Sequence, residues 1–198
     1  MVRLLKSGIV VIGVGGAGCN MLAGFAREGY ENVELLAVDT DVKALKSISG
    51  EGIKKLLIGK RVTKGLGTGG RPGLAHTAAA KEEKEISKAM GNPTAIYLLA
   101  GLGGGTGTGA ILVLAKIASM KNAIVNAIVT YPLDLEKQRA RRADLYMPYL
   151  MQNCDSVTIE NNNALVRFMP NSQIREAFKV MDKRVADRIR IGLEEWRA

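Results

Sequence analysis

The sequence predicts an α/β fold: a doubly wound parallel sheet that ends in a long helix. Three observations carry this. Short apolar runs rich in β-branched residues recur along the chain, helical patterns separate most of them, and glycine-rich loops follow several of the runs. Near-continuous apolar strands alternating with helices mark a parallel sheet covered on both faces. Ligands of such sheets bind beyond the carboxyl ends of the strands.

The elements follow in order. "GIVVIG" (8–13) is the first strand, running through a glycine turn into a helix over 18–29. "VELLAV" (33–38) and "KLLIG" (55–59) are the second and third strands. A helical pattern over 73–90 precedes the fourth, "AIYLLA" (95–100), which leads into a helix over 106–120. "AIVNAIVTY" (123–131) and "SVTI" (156–159) flank a helix over 136–152. From 171 the pattern changes: Ile174, Phe178, Met181, Val185, Ile189 and Leu193 fall at helical spacing over several turns. Pro170 precedes them, and Asn171 or Ser172 serves as N-cap. Glu194 and Glu195 carry the wrong sign for a helix C-terminus, and neither glycine nor proline follows Trp196. That helix reads as cut rather than finished. No repeat or linker interrupts the chain, so 1–198 reads as one domain with the helix 171–197 at its C-terminal boundary.

Composition narrows the classes. A chain of 198 residues can bury a real core, and 47% hydrophobic with 24% charged residues argues against disorder. Cys19 and Cys154 show no paired spacing, which argues for a reducing compartment and against disulfides or a zinc site. The one histidine, His76, lies in a polar helical stretch and reads as a surface residue, which removes most schemes built on a histidine base. The net charge of +9 suits an anionic ligand. Its densest cluster, "KQRARR" (137–142), has no interleaved aromatic residues and falls where a helix begins, so no nucleic-acid partner is expected. The uncharged stretch 8–26 imitates a membrane anchor, but its six glycines break a helix in the middle. A cytoplasmic protein is expected.

The loops carry the chemistry. Gly13, Gly15 and Gly18 satisfy GxGxxG between a strand and a helix, and Asp39 ends the second strand about 20 residues on, the dinucleotide fingerprint. An NAD(P)-binding oxidoreductase, with Asp39 on the ribose, is therefore one reading. Two more loops weigh against it: "GLGTGGRPG" (65–73) after the third strand, and "GGGTGTGA" (103–110), which opens a helix after the fourth. Backbone N–H groups at a helix N-terminus attract phosphate, and glycine lets the backbone come close. Thr106 and Thr108 add hydroxyl donors. Neither GxxxxGK[ST] nor an NKxD motif is present. A binding module without catalysis, using the basic face, is a third reading.

Together these loops resemble those of the tubulin and FtsZ superfamily. "GGGTGTG" with Ala110 is similar to its signature loop, "GVGGAGCN" to the first phosphate loop of FtsZ, "AVDTD" to its Asn-Thr-Asp segment, and "GLGTGGRPG" to GxGAGxNPxxG. The resemblance runs from about residue 8 to 197 and is nearer FtsZ than tubulin. It implies a Rossmann-like GTPase domain that binds GTP and GDP, with Mg2+ held through the phosphates rather than by protein ligands. Gly15, Gly16, Ala17 and Asn20 would line the diphosphate and the first helix, with Asp39 nearby. Gly104, Gly105, Thr106, Gly107 and Thr108 would cradle the phosphates, and Gly69, Gly70 and Arg71 would lie near the terminal one. "YPLDLE" resembles KPFxFEG, which makes Glu136 the acceptor for the ribose hydroxyl. Asn162 would face the guanine, Phe178 would stack on it, and Asp182 would accept from its N1 and N2. Phe178 and Asp182 also share a helix face on spacing alone. A core aromatic and a salt bridge to Lys183 or Arg184 are the plain alternatives.

Three departures qualify the resemblance. The family's arginine four residues after the ribose glutamate is Ala140 here, so Arg139 or Arg141 would substitute. Arg71 replaces an asparagine, and is either a fork on phosphate or a solvent-facing side chain. The family's second domain, and the loop whose acid completes the neighbouring subunit's site, would lie beyond residue 198. No catalytic residue is then expected within the chain, with Asp39 and Asp41 the nearest acids, both facing the phosphate side. The resemblance further implies head-to-tail self-association in cell division, with membranes reached only through adaptors. The chain alone is expected to bind GTP and turn it over very slowly.

Overall fold

The computed structural model describes residues 8–164 and 174–195. Its strands are β1 (Ile9–Val14), β2 (Val33–Asp39), β3 (Ile53–Leu57), β4 (Ala95–Gly101), β5 (Ile124–Tyr131) and β6 (Ser156–Asn161). Its helices are α1 (Gly15–Ala26), α2 (Val42–Ser47), α3 (Lys60–Thr63), α4 (Pro72–Lys81), α5 (Glu83–Met90), α6 (Thr106–Met120), α7 (Lys137–Met151) and α8 (Ile174–Glu195). The strands form one sheet in the order β3-β2-β1-β4-β5-β6, every neighbouring pair parallel. The α/β class is as the sequence predicts.

The alternation of side chains explains the layering. On β1, Val10, Ile12 and Val14 point to one side and Ile9 and Val11 to the other, and all five are buried. The first side packs with Ala75 and Ala79 of α4, Ile86 and Met90 of α5, Ile111 and Leu114 of α6, and Ala143 and Leu150 of α7. The second packs with Leu22 and Phe25 of α1 and with Val185, Ile189 and Leu193 of α8. Each large aliphatic side chain so enclosed contributes about 1.5–3 kcal/mol. Glu160 on β6, itself buried, pairs with Arg184 at 3.3 Å and with Arg188, which fastens α8 to the sheet.

The strand order decides where a ligand can sit. Connections run one way from β1 through β2 to β3 and the other way from β4 to β6, so the order reverses between β1 and β4. The loops leaving those two strands flank the crevice of a topological switch point.

The structure refines several boundaries. β3 lies two residues earlier than expected, because Ile53 pairs with Leu35 while the exposed Lys54 and Lys55 protect an edge strand. The helix expected over 73–90 is two, separated at Glu82, whose carboxylate accepts from the Lys60 N–H. α1 begins at Gly15, not 18, since only Gly15 leaves helical geometry (φ +70°). α2 and α3 were not foreseen; six and four residues are too short to show a period. The expected N-cap at Asn171 or Ser172 lies outside the described residues, as does the side chain of Phe178.

Candidate functional site

Three glycine loops meet at the carboxyl edge of the sheet through their backbones. A Cβ on Gly15, after β1, would stand 2.6 Å from the Gly107 nitrogen of α6. A Cβ on Gly105, after β4, would stand 1.9 Å from Thr68 Oγ1 and 3.0 Å from the Arg71 nitrogen. The first loop thus touches the fourth-strand loop, and that loop touches the third-strand loop. Only glycine permits either approach.

The helices that open from these loops have bare starts, a trait that α3 and α7 share. α1, α4 and α6 have no side-chain cap and no acidic residue in the first turn. Their leading N–H groups and the positive ends of their dipoles are left for another partner. Gly16 and Ala17 are exposed on α1, as is Asn20 one turn on, and nothing lies within 4 Å of a Cβ at Gly16 or Gly69. Gly104 and Gly70 are half-buried, and Arg71 is exposed with its Nε donating to the Thr68 carbonyl at 3.0 Å.

Several expected side-chain contacts need correction. Thr106 is nearly enclosed, and its hydroxyl bonds that of Thr40 at 2.7 Å. Thr108 is fully buried, and its Oγ1 has no partner among the described residues. Glycines draw α6 so close to its neighbours that both hydroxyls are shut in; what α6 offers a ligand is backbone. Asp39, expected at the nucleotide face, is only 3% exposed. Its Oδ1 accepts from the N–H of Thr40 at 2.6 Å and of Asp41 at 3.3 Å, and burial raises its pKa against those bonds. Asp41 caps α2 through Oδ1, which accepts from Lys43 and Ala44 N–H, while its Oδ2 lies beside the loop after β3, 3.5 Å from where a Cβ on Gly67 would be.

Beyond the loops, Glu136 uses both oxygens, accepting from Arg139 at 2.6 Å and from the Leu133 N–H at 3.1 Å. Of the arginines expected to substitute at Ala140, Arg139 is held by Glu136 and Arg141 is exposed. Arg139 abuts Gly103 through its carbonyl and Cβ, but the guanidinium bonded to the loops is that of Arg142, which donates to the Gly70 and Gly103 carbonyls. Sequence spacing gave no signal for it. Asn162 is half-buried with its Oδ1 unpartnered among the described residues. Asp182 packs over α1, its Cβ 3.1 Å from where a Cβ on Gly24 would be. Burial pushes its pKa up to about 6, with Arg27 pulling the other way. Arg184 pairs with Glu160, so the alternative of an Asp182–Arg184 bridge is set aside.

The model of the tubulin/FtsZ family, GTPase domain, matches residues 8–170. The chain belongs to the tubulin/FtsZ family. It is 38% identical over 187 residues to the cell division protein FtsZ 2 of Methanocaldococcus jannaschii, covering 94% of this chain and 48% of that protein. It is 40% identical over 180 residues to the cell division protein FtsZ 1 of Archaeoglobus fulgidus, covering 90% and 48%. The chain spans about half the length of the curated relatives it matches. Among solved structures, the empty FtsZ dimer of M. jannaschii superposes with a TM-score of 0.87 at 36% identity, covering 94% of this chain and 54% of that one. CetZ from Methanosaeta thermophila shares the fold, with a TM-score of 0.78 at 20% identity over 94% of this chain and 54% of that one. These findings lend the NAD(P) oxidoreductase reading no support. Among the described residues, no helix is long and apolar enough to cross a membrane.

Proposed function

We propose that this chain binds GTP and GDP across the carboxyl edge of its sheet and serves as the GTP-hydrolysing domain of an FtsZ-like cell-division protein. One observation carries the reading: three uncapped helix starts are drawn together by glycine-only contacts at the switch point between β1 and β4. Membership of a GTPase family supports the choice of ligand. Gly15, Gly16 and Ala17 with Gly104, Gly105, Thr106, Gly107 and Thr108 hold the phosphates through backbone N–H groups. Gly69, Gly70 and Arg71 lie at the terminal phosphate, and Asn20, exposed on α1, lies by the diphosphate.

At the other end, Glu136 takes the ribose, while Asn162, Phe178 and Asp182 take the guanine. A half-buried carboxylate raised by desolvation and an unpartnered amide oxygen are the acceptors that guanine's N1–H and N2–H donors satisfy. Mg2+ is held through the phosphates, Asp39 being buried and Asp41 holding the α2 cap through one oxygen. Asp39 is buried and Asp41 holds the α2 cap, so neither is placed as a free general base, which must be within hydrogen-bond reach of its proton. The chain alone therefore turns GTP over slowly. In the whole protein, subunits stack head to tail in the cytoplasm.

Mass analysis of the nucleotide released from purified chain tests this, with GDP and magnesium titrated into any empty fraction. Guanine nucleotide released or rebound is the expected result. Nicotinamide dinucleotide, or binding of neither, overturns the proposal.

A further inference from the structure

Arg142 stands in the second turn of α7, outside every glycine motif. Its Nη1 donates to the Gly70 carbonyl at 2.7 Å and to the Gly103 carbonyl at 3.0 Å, 72 and 39 residues away in sequence. One nitrogen thus ties the loop after β3 to the loop after β4. The side chain is half-buried, and among the described residues no Asp or Glu pairs with it. Arg139, three residues earlier, is by contrast neutralised by Glu136.

Two carbonyls satisfy hydrogen bonds but carry no net charge. A half-buried cation held this way keeps its charge available to an anion on its exposed side. A guanidinium has five N–H donors, of which Nη1 supplies only two. The charge sits at the rim of a cleft of about 600 Å³ lined by Gly69, Gly70, Arg71, Pro72 and Thr77. That cleft adjoins the loop whose Thr68 and Arg71 abut Gly105.

We infer that Arg142 determines the preference for nucleoside triphosphate over diphosphate: anchored on Gly70 and Gly103, it sets the two loops in register and presents its charge to the terminal phosphate. The inference rests on the guanine-nucleotide reading of the site. Arg139, whose guanidinium is paired with Glu136, does not offer the same charge.

Calorimetric titration of GTP and of GDP into wild type, Arg142→Gln and Arg142→Lys, with thermal melting as a check on folding, tests it. Arg142→Gln is expected to weaken GTP about tenfold more than GDP, the scale of one charge-assisted hydrogen bond. Arg142→Lys keeps the charge without the fork, so it should recover part of that ratio. If Arg142→Gln does not fold, the lysine variant alone should still lower the ratio by about threefold. GTP and GDP weakened equally would make Arg142 a structural tie only and overturn the inference, as would an unchanged ratio. A wild-type chain that binds neither nucleotide overturns the functional reading as well; one that binds both while its variants keep the ratio overturns this inference alone.

Discussion

At one edge of this sheet, two kinds of helix start lie side by side. α2 closes its own end: Asp41 Oδ1 accepts from Lys43 N–H at 2.8 Å and from Ala44 N–H at 3.0 Å. α1 and α6 leave theirs open, with no capping side chain and no acid in the first turn. α4 goes further and places Arg71, the wrong sign for the dipole, at its N-cap position. α3 and α7 also start without a cap or a first-turn acid, so what marks α1, α4 and α6 for an anion is that glycine contacts draw their bare starts together.

That contrast can be broken by converting one kind of start into the other. The largest effect is expected from Gly16→Asp, which gives α1 the acid it lacks. Nothing lies within 4 Å of a Cβ there, so the fold should hold or gain about 0.3–1 kcal/mol through the dipole. Nucleotide affinity should nonetheless fall about a hundredfold or more, the scale of a like-charge contact near a protein surface. Titration with GDP beside a melting curve measures both; lost stability with intact binding would erase the distinction.

The base end sharpens the comparison, because there side chains rather than backbone should do the reading. Asp182→Ala should weaken GTP and GDP by about 1–3 kcal/mol and leave weak ATP binding little changed. Equal losses for both bases would sink the assignment. The raised pKa adds a pH signature. Between about 4 and 6 the folded state holds a proton on Asp182 that the unfolded chain has released, so this group's contribution to stability falls as pH rises through that window. Guanine donors need the carboxylate, so GDP affinity should rise up to about pH 6 and then level off. Asp182→Asn should flatten that profile in titrations across the range.

The reverse conversion comes next. Asp41→Ala opens α2 and should cost about 1 kcal/mol in urea unfolding. GDP affinity should move by about twofold or less, as for a substitution outside the site. The smallest effect is expected at Arg71, which is exposed and already bonded to the Thr68 carbonyl. Arg71→Ala should lower GTP relative to GDP by about 0.5 kcal/mol, typical of an exposed charge pair. An unchanged ratio would make it a solvent-facing side chain.

The uneven legibility of the sequence has the same physical origin. Strands β1, β2, β4 and β5, flanked on both sides, were readable to within one residue because burial imposes apolar runs, whereas the two edge strands, β3 and β6, each missed by two residues because that rule relaxes at an edge. The glycine loops were readable because backbone approach admits one residue type. Side-chain commitments were not. That Thr106 bonds Thr40, 66 residues away, and that the guanidinium bonded to the loops is that of Arg142 rather than Arg139 or Arg141, depend on packing that no local spacing encodes. Asp39 illustrates the limit best: its place in a motif drew it toward the ligand, while its burial turned it to the backbone.

The most direct test of the contrast is an amide-resolved NMR titration of the nitrogen-15-labelled chain with GDP and magnesium. The amides of Gly16, Ala17, Gly105 and Thr106 should shift with saturation, while those of Lys43 and Ala44, already bonded to Asp41, should stay in place. Shifts at Lys43 and Ala44 with silence at α1 and α6 would contradict the claim that the uncapped helix starts are the phosphate-binding ones.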